Sequence, residues 1–394
     1  MDNLGIYISV PFCRSKCTYC NFASGVFPSS YFDRYVARVE DDLRLADERA
    51  VACGAVLPRH VDTVYLGGGT PSLLPPELME RLLGEAARNF EVSSDAEITV
   101  ECAPGQLADE TLAAMVAGGV NRVSFGVQSF VDAEAKHTGR LHTREMALGD
   151  VERVRKAGIR SVNVDLIAGL PGQSRESWRE SLDVLTGAGV DHASVYMLEV
   201  DEDSRLGREV GAGGLRYYAP QVPSDDAVTE MYAEAVGISA EAGLAQYEIS
   251  NFARKGAESR HNLKYWRRQP YLGVGLDAHS MLRDQAGRAL RFGTTDGLDA
   301  YLNASGWEDC QRLAAEDELE EAFFLGLRLN AGVDLSALRA EFGEGPVRGV
   351  DAVLAELEDD GLLTVVGDGV ALTERGRLLS NEVFAQFLRE TAAV

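Results

Sequence analysis

Positive charge is scarce in this 394-residue sequence: 38 Lys and Arg stand against 62 Asp and Glu, a formal net charge of −24. Such a field repels nucleic acid and anionic membrane surfaces, so neither is expected as a general partner. No stretch approaches the roughly 18 uninterrupted apolar residues that a membrane helix needs, so no membrane insertion is expected. Met1 to Val10 carries Asp2 where an export signal would carry a basic start, and its short apolar run ends at Pro11; a cytoplasmic location is the expectation. Cysteine is sparse as well, six residues in all, yet Cys13, Cys17 and Cys20 crowd into eight positions. In a reducing compartment that crowding points to a metal rather than to disulfides. Cys53, Cys102 and Cys310 are isolated and are expected as small buried hydrophobes.

Hydrophobic content of 45% and charged content of 25% are ordinary for a folded chain, and the length suits one large domain with a smaller attachment. Short β-branched and apolar runs recur at Gly5 to Val10, Asp62 to Leu66, Glu97 to Glu101, Arg122 to Val127, Ser161 to Ile167 and Ala193 to Leu198. Stretches of helical spacing, such as Tyr31 to Ala52 and Pro76 to Phe90, lie between them. The alternation predicts parallel strands with crossover helices, and six strands predict a partial (β/α)6 TIM-like barrel over residues 1–205. A doubly wound sheet of another strand order is the alternative. Residues 206–315 read as a loop-rich elaboration, with glycines at 207–214 and a basic run from Arg254 to Arg268. Residues 316–394 pass from helical patterns to Leu362–Val366, a Gly367-Asp368-Gly369 turn and Val370–Thr373. Helices followed by a hairpin predict a small winged-helix-like domain. Its many carboxylates and lack of lysine favour a structural lid over a DNA-binding role.

Cys13, Cys17 and Cys20 form a C-x3-C-x2-C loop just after the first predicted strand, the position where β/α barrels build their active face. Three soft thiolates with no fourth nearby would hold three corners of a [4Fe-4S] cluster and leave one iron open to an exchangeable ligand. Arg14 and Lys16 between them favour the thiolate forms. The competing reading is a structural zinc site, which needs four close protein ligands; the nearest histidine in sequence is His60.

Tyr7 to Phe22, YISVPFCRSKCTYCNF, resembles the cluster loop of radical-SAM proteins, and Gly67-Gly68-Gly69-Thr70-Pro71 resembles the glycine-rich motif that receives the methionyl part of S-adenosylmethionine (SAM). Glycines permit close backbone approach and expose N–H groups to a carboxylate. By itself GGGTP is also an ordinary strand-to-helix turn. Four further stretches, TVECAPG, SFGVQSF, GRLHT and NVDLIAGLPGQ, resemble motifs of the oxygen-independent coproporphyrinogen III oxidase group of that family. The resemblance covers nearly the whole chain. It implies a SAM site drawn from Tyr7, Gly68, Gly69, Thr70, Glu101, Gln128, Arg140 and Asp165, with acid, amide and guanidinium groups suited to its amino group, ribose hydroxyls and carboxylate.

Within the group, two features resemble the HemW-type haem-chaperone branch. Phe22 stands two places after Cys20, where the oxidases carry another cysteine, and His261-Asn262-Leu263-Lys264-Tyr265-Trp266 matches the branch's H-N-x-x-Y-W signature. The oxidases also carry a sizeable segment before the cluster loop. That resemblance implies haem as a ligand and acceptor apo-haemoproteins as partners; the alternative is the oxidase, a radical-SAM oxidative decarboxylation of coproporphyrinogen III. Residue chemistry agrees in part: Arg254, Lys255, Arg260, Lys264, Arg267 and Arg268 gather in one segment, suiting propionates, with Tyr265 and Trp266 as stacking faces. A solvated basic loop is the plain alternative. His261 and His279 are the candidate iron ligands, and His279 equally suits a buried, hydrogen-bonded position. His137 and His142 flank Arg140 and read as support for the SAM pocket or as solvent-facing. Whether the chain dimerises stays open.

Overall fold

The computed structural model describes residues 3–303 and 307–388. Six strands, β1 (Leu4–Val10), β2 (His60–Gly68), β3 (Glu91–Cys102), β4 (Arg122–Gln128), β5 (Ser161–Ala168) and β6 (His192–Met197), pair in chain order and all in parallel. This is the partial (β/α)6 barrel, not a doubly wound sheet. Helices such as Phe32–Arg44, Pro76–Asn89 and Arg175–Gly187 return the chain between strands.

Alternation along the strands separates two chemistries. Ile6, Ile8 and Val10 of β1, Val123, Phe125 and Val127 of β4, and Val162, Val164 and Leu166 of β5 point outward into one buried apolar core. Full burial of each such side chain stabilises by about 1.5–3 kcal/mol. The opposite faces carry Tyr7 and Ser9, Thr63 and Tyr65, Glu101, Ser124, Asn163, Asp165 and Ser194, which turns the barrel's interior polar. Parallel register sets Glu101, Ser124 and Asn163 side by side across β3, β4 and β5.

Residues 206–315, expected as loop-rich, instead extend the sheet at both edges. After the 17-residue helix Asp225–Glu241, β8 (Asn251–Ala253) pairs antiparallel with β6, and β7 (Ala245–Glu248) pairs antiparallel with β8 at the sheet edge. At the other edge β9 (Tyr271–Gly275) runs parallel to β1, followed by the antiparallel β10 (His279–Arg283), β11 (Ala289–Gly293) and β12 (Glu308–Arg312). The result is one 12-stranded sheet. Glycines such as Gly273 and Gly275 obscured the strand pattern because they sit where backbones nearly touch: a Cβ on Gly273 would lie 2.2 Å from His279 O, and one on Gly275 2.3 Å from Ser9 O.

The C-terminal segment has its own core, built around Phe323, Leu327, Leu335, Val347, Leu363 and Val383. Helices Ala315–Gly326, Leu335–Phe342 and Asp351–Asp359 precede a hairpin of β14 (Leu363–Val366) and β15 (Gly369–Leu372), which β13 (Val333–Asp334) completes as a three-stranded sheet. This matches the winged-helix-like expectation. Among the described residues no helix is long and apolar enough to cross a membrane.

Cys53 and Cys310 depart from the expectation of isolated buried thiols. They form a disulfide with Cα atoms 5.8 Å apart, joining the end of helix Ala46–Cys53 to β12 across 257 residues. Cys310 is exposed. Sequence distance hid the pair, because β12 reaches that helix only through the added edge strands. Cys102 is buried, as expected.

Candidate functional site

Every strand of the barrel ends at the same mouth, and the cysteine loop starts there. β1 delivers Pro11 and Phe12 to the rim, where Cys13 N–H bonds Gly25 O at 2.9 Å and closes the loop on itself. Cys13, Cys17 and Cys20 are half-buried free thiols.

The glycines at the end of β2 are each required by a close approach. Gly69 and Thr70 donate backbone N–H groups to Val10 O and Phe12 O, both at 2.8 Å, stitching the motif to the root of the cysteine loop. A Cβ on Gly69 would lie 2.8 Å from three backbone atoms of residues 10–12. Gly68 adopts φ 99°, and a Cβ there would meet Ser9 Oγ at 2.9 Å and Tyr7 OH at 3.6 Å. On Gly67 it would meet Glu101 Oε1 at 2.9 Å. Substitution would therefore fill a cradle floored by Tyr7, Ser9 and Glu101.

Glu101 accepts from Tyr65 OH at 2.9 Å and from Gly68 N–H at 3.2 Å. Burial, then the neighbouring Asp165 carboxylate, push its pKa up to about 7, against the pull of those two bonds. Asp165 accepts from Ser124 Oγ at 3.1 Å and Asn163 Nδ2 at 2.6 Å, and burial raises its carboxyl also. Gln128 ends β4 with φ 71°, a left-handed conformation unusual for a side-chain-bearing residue. Its Nε2 and Arg140 Nη2 lie 3.1 and 3.0 Å from where a Cβ on Gly126 would stand, so the missing side chain makes their room. Arg140 donates to Tyr19 OH at 3.1 Å, tying this side of the mouth to the cysteine loop. Gln128 Oε1 and Arg140 Nε are buried without a partner inside the protein, the condition of a polar site awaiting a ligand. Tyr7, Gly68, Gly69, Thr70, Glu101, Gln128, Arg140 and Asp165 thus come together at one end of the barrel.

The haem candidates fare differently. Helix Arg260–Trp266, capped by Ser259, plugs the opposite end of the barrel. Lys264 threads past Gly5, where a Cβ would lie 2.7 Å from its Cδ, and binds Asp62 at 2.7 Å and Asn3 O at 2.8 Å. Arg260 meets Asp62 at 3.8 Å and Asp95 O at 2.7 Å, and Arg268 meets Glu318 and Glu341 at 3.0 and 3.1 Å. Lys264, Arg260 and Arg268 are thus held by this chain's own acceptors, while Arg254, Lys255 and Arg267 are exposed, so three of the six cations expected to suit propionates are already engaged. His261 is buried, with Nδ1 2.8 Å from Thr63 Oγ1 and Nε2 2.8 Å from Tyr265 OH; burial and then Lys264 lower its pKa to about 3. With both ring nitrogens occupied, it is a structural plug and not an open iron ligand. His279 is exposed: its side chain is 76% accessible, with Asp277 at 3.8 Å. Since β9 runs parallel to β1 and β10 turns back from its end, His279 stands on the mouth's rim. His142 is buried, and His137 stacks on Tyr218 at 3.8 Å.

Tyr65, Ser124, Asn163 and Ser194 were missed. Strict alternation with Tyr7, Glu101 and Asp165 placed them on the inner faces, and following that period through every strand would have found them.

Residues 7–185 match the Radical SAM superfamily and residues 313–379 the HemN C-terminal domain. Among curated relatives, the heme chaperone HemW of Bacillus subtilis is 33% identical over 98% of this chain and 99% of its own. That of Mycobacterium tuberculosis is 35% identical over 98% and 94%. The chain belongs to the HemW family of radical-SAM proteins. Coproporphyrinogen III oxidase (HemN) from Escherichia coli has the same fold, with TM-score 0.83 and 24% identity over 98% of this chain and 90% of that one. Family membership implies a [4Fe-4S] cluster and SAM. The residues present fit both: three unpaired thiols, a glycine cradle that a Cβ would fill, and orphaned amide and guanidinium atoms facing it.

Proposed function

We propose that this chain binds haem and passes it to acceptor apo-haemoproteins, with a [4Fe-4S] cluster and SAM at the barrel mouth. The observation that carries this reading is the full-length similarity to relatives named heme chaperones. Cys13, Cys17 and Cys20 hold the cluster. Glu101 takes the amino group of SAM, Gly68, Gly69 and Thr70 the backbone-facing methionyl end beside Tyr7, and Gln128, Arg140 and Asp165 its carboxylate and ribose hydroxyls. When bound, the cluster supplies a low-potential electron and a coordination position for SAM.

Haem seats across the rim on His279. A planar macrocycle needs an accessible imidazole and apolar faces. His279 and His60 are the strongly exposed histidines, and His60 pairs with Glu91 at the barrel's far end. Phe22 in the cysteine loop, Tyr196 near the end of β6, and Leu215 and Tyr218 beyond it leave apolar surface uncovered on the mouth side. Transfer requires different haem affinity in two states, which occupancy of the adjoining SAM site can supply.

The test is haem titration of anaerobically reconstituted protein, read by absorbance, alongside assay of coproporphyrinogen consumption. Haem uptake without coproporphyrinogen turnover, lost in His279→Ala, supports the reading. Turnover to protoporphyrinogen, or undiminished haem ligation in His279→Ala, rejects the function or the ligand respectively.

A further inference from the structure

One set of side chains starts at the SAM cradle with Tyr7 and continues well beyond it. From the cradle floor to the protein's far side runs a file of aromatic rings: Tyr7 to Tyr65, 5.9 Å between centroids; Tyr65 to His261, 5.3 Å; His261 to Tyr265, 5.2 Å; then Tyr265 to Tyr271 at 4.6 Å and to Trp266 at 6.3 Å. Tyr7 is at the SAM end, its hydroxyl beside Gly68. Tyr271 and Trp266 end the file in a cleft of about 170 Å³ outside the barrel. The file does not belong to the apolar core, which lies on the outward strand faces. It passes through the polar interior, and its phenols meet proton acceptors: Tyr65 OH on Glu101 at 2.9 Å and Tyr265 OH on His261 Nε2 at 2.8 Å.

We infer that this file is a hole-transfer path that drains oxidising equivalents from the barrel mouth to the outer cleft. Electron tunnelling falls exponentially with distance, so rings in near contact carry a hole where a gap of several side chains would stop it. Phenols oxidise at accessible potentials only when the proton leaves with the electron, which requires an acceptor already within hydrogen-bond reach. With Nδ1–H donating to Thr63, His261 Nε2 is that acceptor for Tyr265. A phenol that has lost an electron is acid enough to protonate even an imidazole whose own pKa lies near 3.

The steps balance. Tyr7 O–H gives a hydrogen atom to a carbon-centred alkyl radical, which leaves as the C–H compound, and Tyr7 becomes a phenoxyl. An electron from Tyr65 refills it, Tyr7 takes a proton from mouth water, and the Tyr65 proton moves to Glu101; an electron from Tyr265 then restores Tyr65, whose proton returns from Glu101, and the Tyr265 proton moves to His261. An electron from Tyr271 then restores Tyr265, whose proton returns from His261, while Tyr271 loses its own proton to the cleft. The net change is one hydrogen atom moved from the outer ring to the alkyl radical; a thiol reductant returns it from outside.

The test injects the hole without SAM, so its outcome is separate from the fate of the haem reading. A ruthenium polypyridyl photo-oxidant is coordinated to His279 of the full chain in a His60→Gln background, and Tyr271 is replaced by 3-aminotyrosine as a low-potential trap. Flash oxidation followed by electron paramagnetic resonance is expected to show the aminotyrosyl radical at position 271. The signal is lost in Tyr265→Phe, kept in Tyr247→Phe, and formed more slowly in heavy water. Tyr247, bonded to His192 and Ser259, stands off the path and controls for general disturbance of buried phenols. No radical at position 271 with every ring in place, or an undiminished one in Tyr265→Phe, overturns the path.

Discussion

Lowering the pH from 7.5 to 6 should weaken SAM binding by about sixfold. Glu101 sits among Tyr7, Tyr65, the Gly68 N–H, Asp165 and Arg140, and its pKa lies at about 7 because burial and Asp165 outweigh the bonds that favour its charged form. An ammonium ligand selects the carboxylate. The ionised fraction is roughly three quarters at pH 7.5 and one tenth at pH 6, and apparent affinity scales with the competent fraction. The ligand's own α-amino group, with a pKa near 8, is mostly protonated throughout that range and trims the ratio from about eight to about six, or about 1 kcal/mol. Isothermal titration of anaerobic, cluster-loaded protein at the two pH values reads this directly. Glu101→Gln should bind about thirtyfold more weakly at pH 7.5, the cost of a lost charge-assisted bond of about 2 kcal/mol, and should lose the pH slope. Equal affinity at both pH values, or an unchanged slope in Glu101→Gln, would refute the placement of the ammonium on this carboxylate.

The same raised pKa has a stability signature with a fixed sign. Protonated Glu101 favours the fold, so its contribution is complete below the unfolded pKa of about 4.5 and fades as pH rises through about 7; thermal melts of ligand-free protein should show a shallower decline over that window in Glu101→Gln. Gly69→Ala places a methyl 2.8 Å from the backbone of residues 10–12 and should cost about 1–3 kcal/mol while lowering iron and sulfide content on reconstitution. Lys264→Met leaves Asp62 with only the longer Arg260 contact at 3.8 Å at the barrel floor and should destabilise by about 1–3 kcal/mol in urea melts, with haem affinity retained because that floor is far from the rim. A proportionate loss of haem binding would move the haem site to the H-N-x-x-Y-W helix.

Strong periodicity made the barrel legible. Six apolar runs alternated cleanly with helical stretches, while Glu101 and Asp165 were legible through the motifs around them. The C-x3-C-x2-C loop was legible for another reason, since all its ligands lie on one short segment that any fold must keep together. The edge strands β9 to β12 were not, because Gly273 and Gly275 read as turn residues when their role is to let Ser9 and His279 backbones approach. Cys53 and Cys310 lie 257 residues apart, and no local pattern joins residues at that range. The basic run from Arg254 to Arg268 misled in a physical way. Composition counts cations, but Asp62, Glu318 and Glu341, which hold three of them, come from elsewhere in the chain. His261 and His279 looked alike in sequence, and burial separates them: His261 is enclosed and His279 is exposed on the rim.

On the proposed function, three thiolates leave one iron open to SAM beside Glu101 and the glycine cradle. Electron paramagnetic resonance of dithionite-reduced, anaerobically reconstituted protein, recorded before and after adding SAM, reads that open position. A reduced [4Fe-4S] signal that shifts on addition, and that is missing in Cys17→Ala, is the predicted result. A signal unmoved by SAM, or protein that takes up one zinc in place of iron and sulfide, would contradict it.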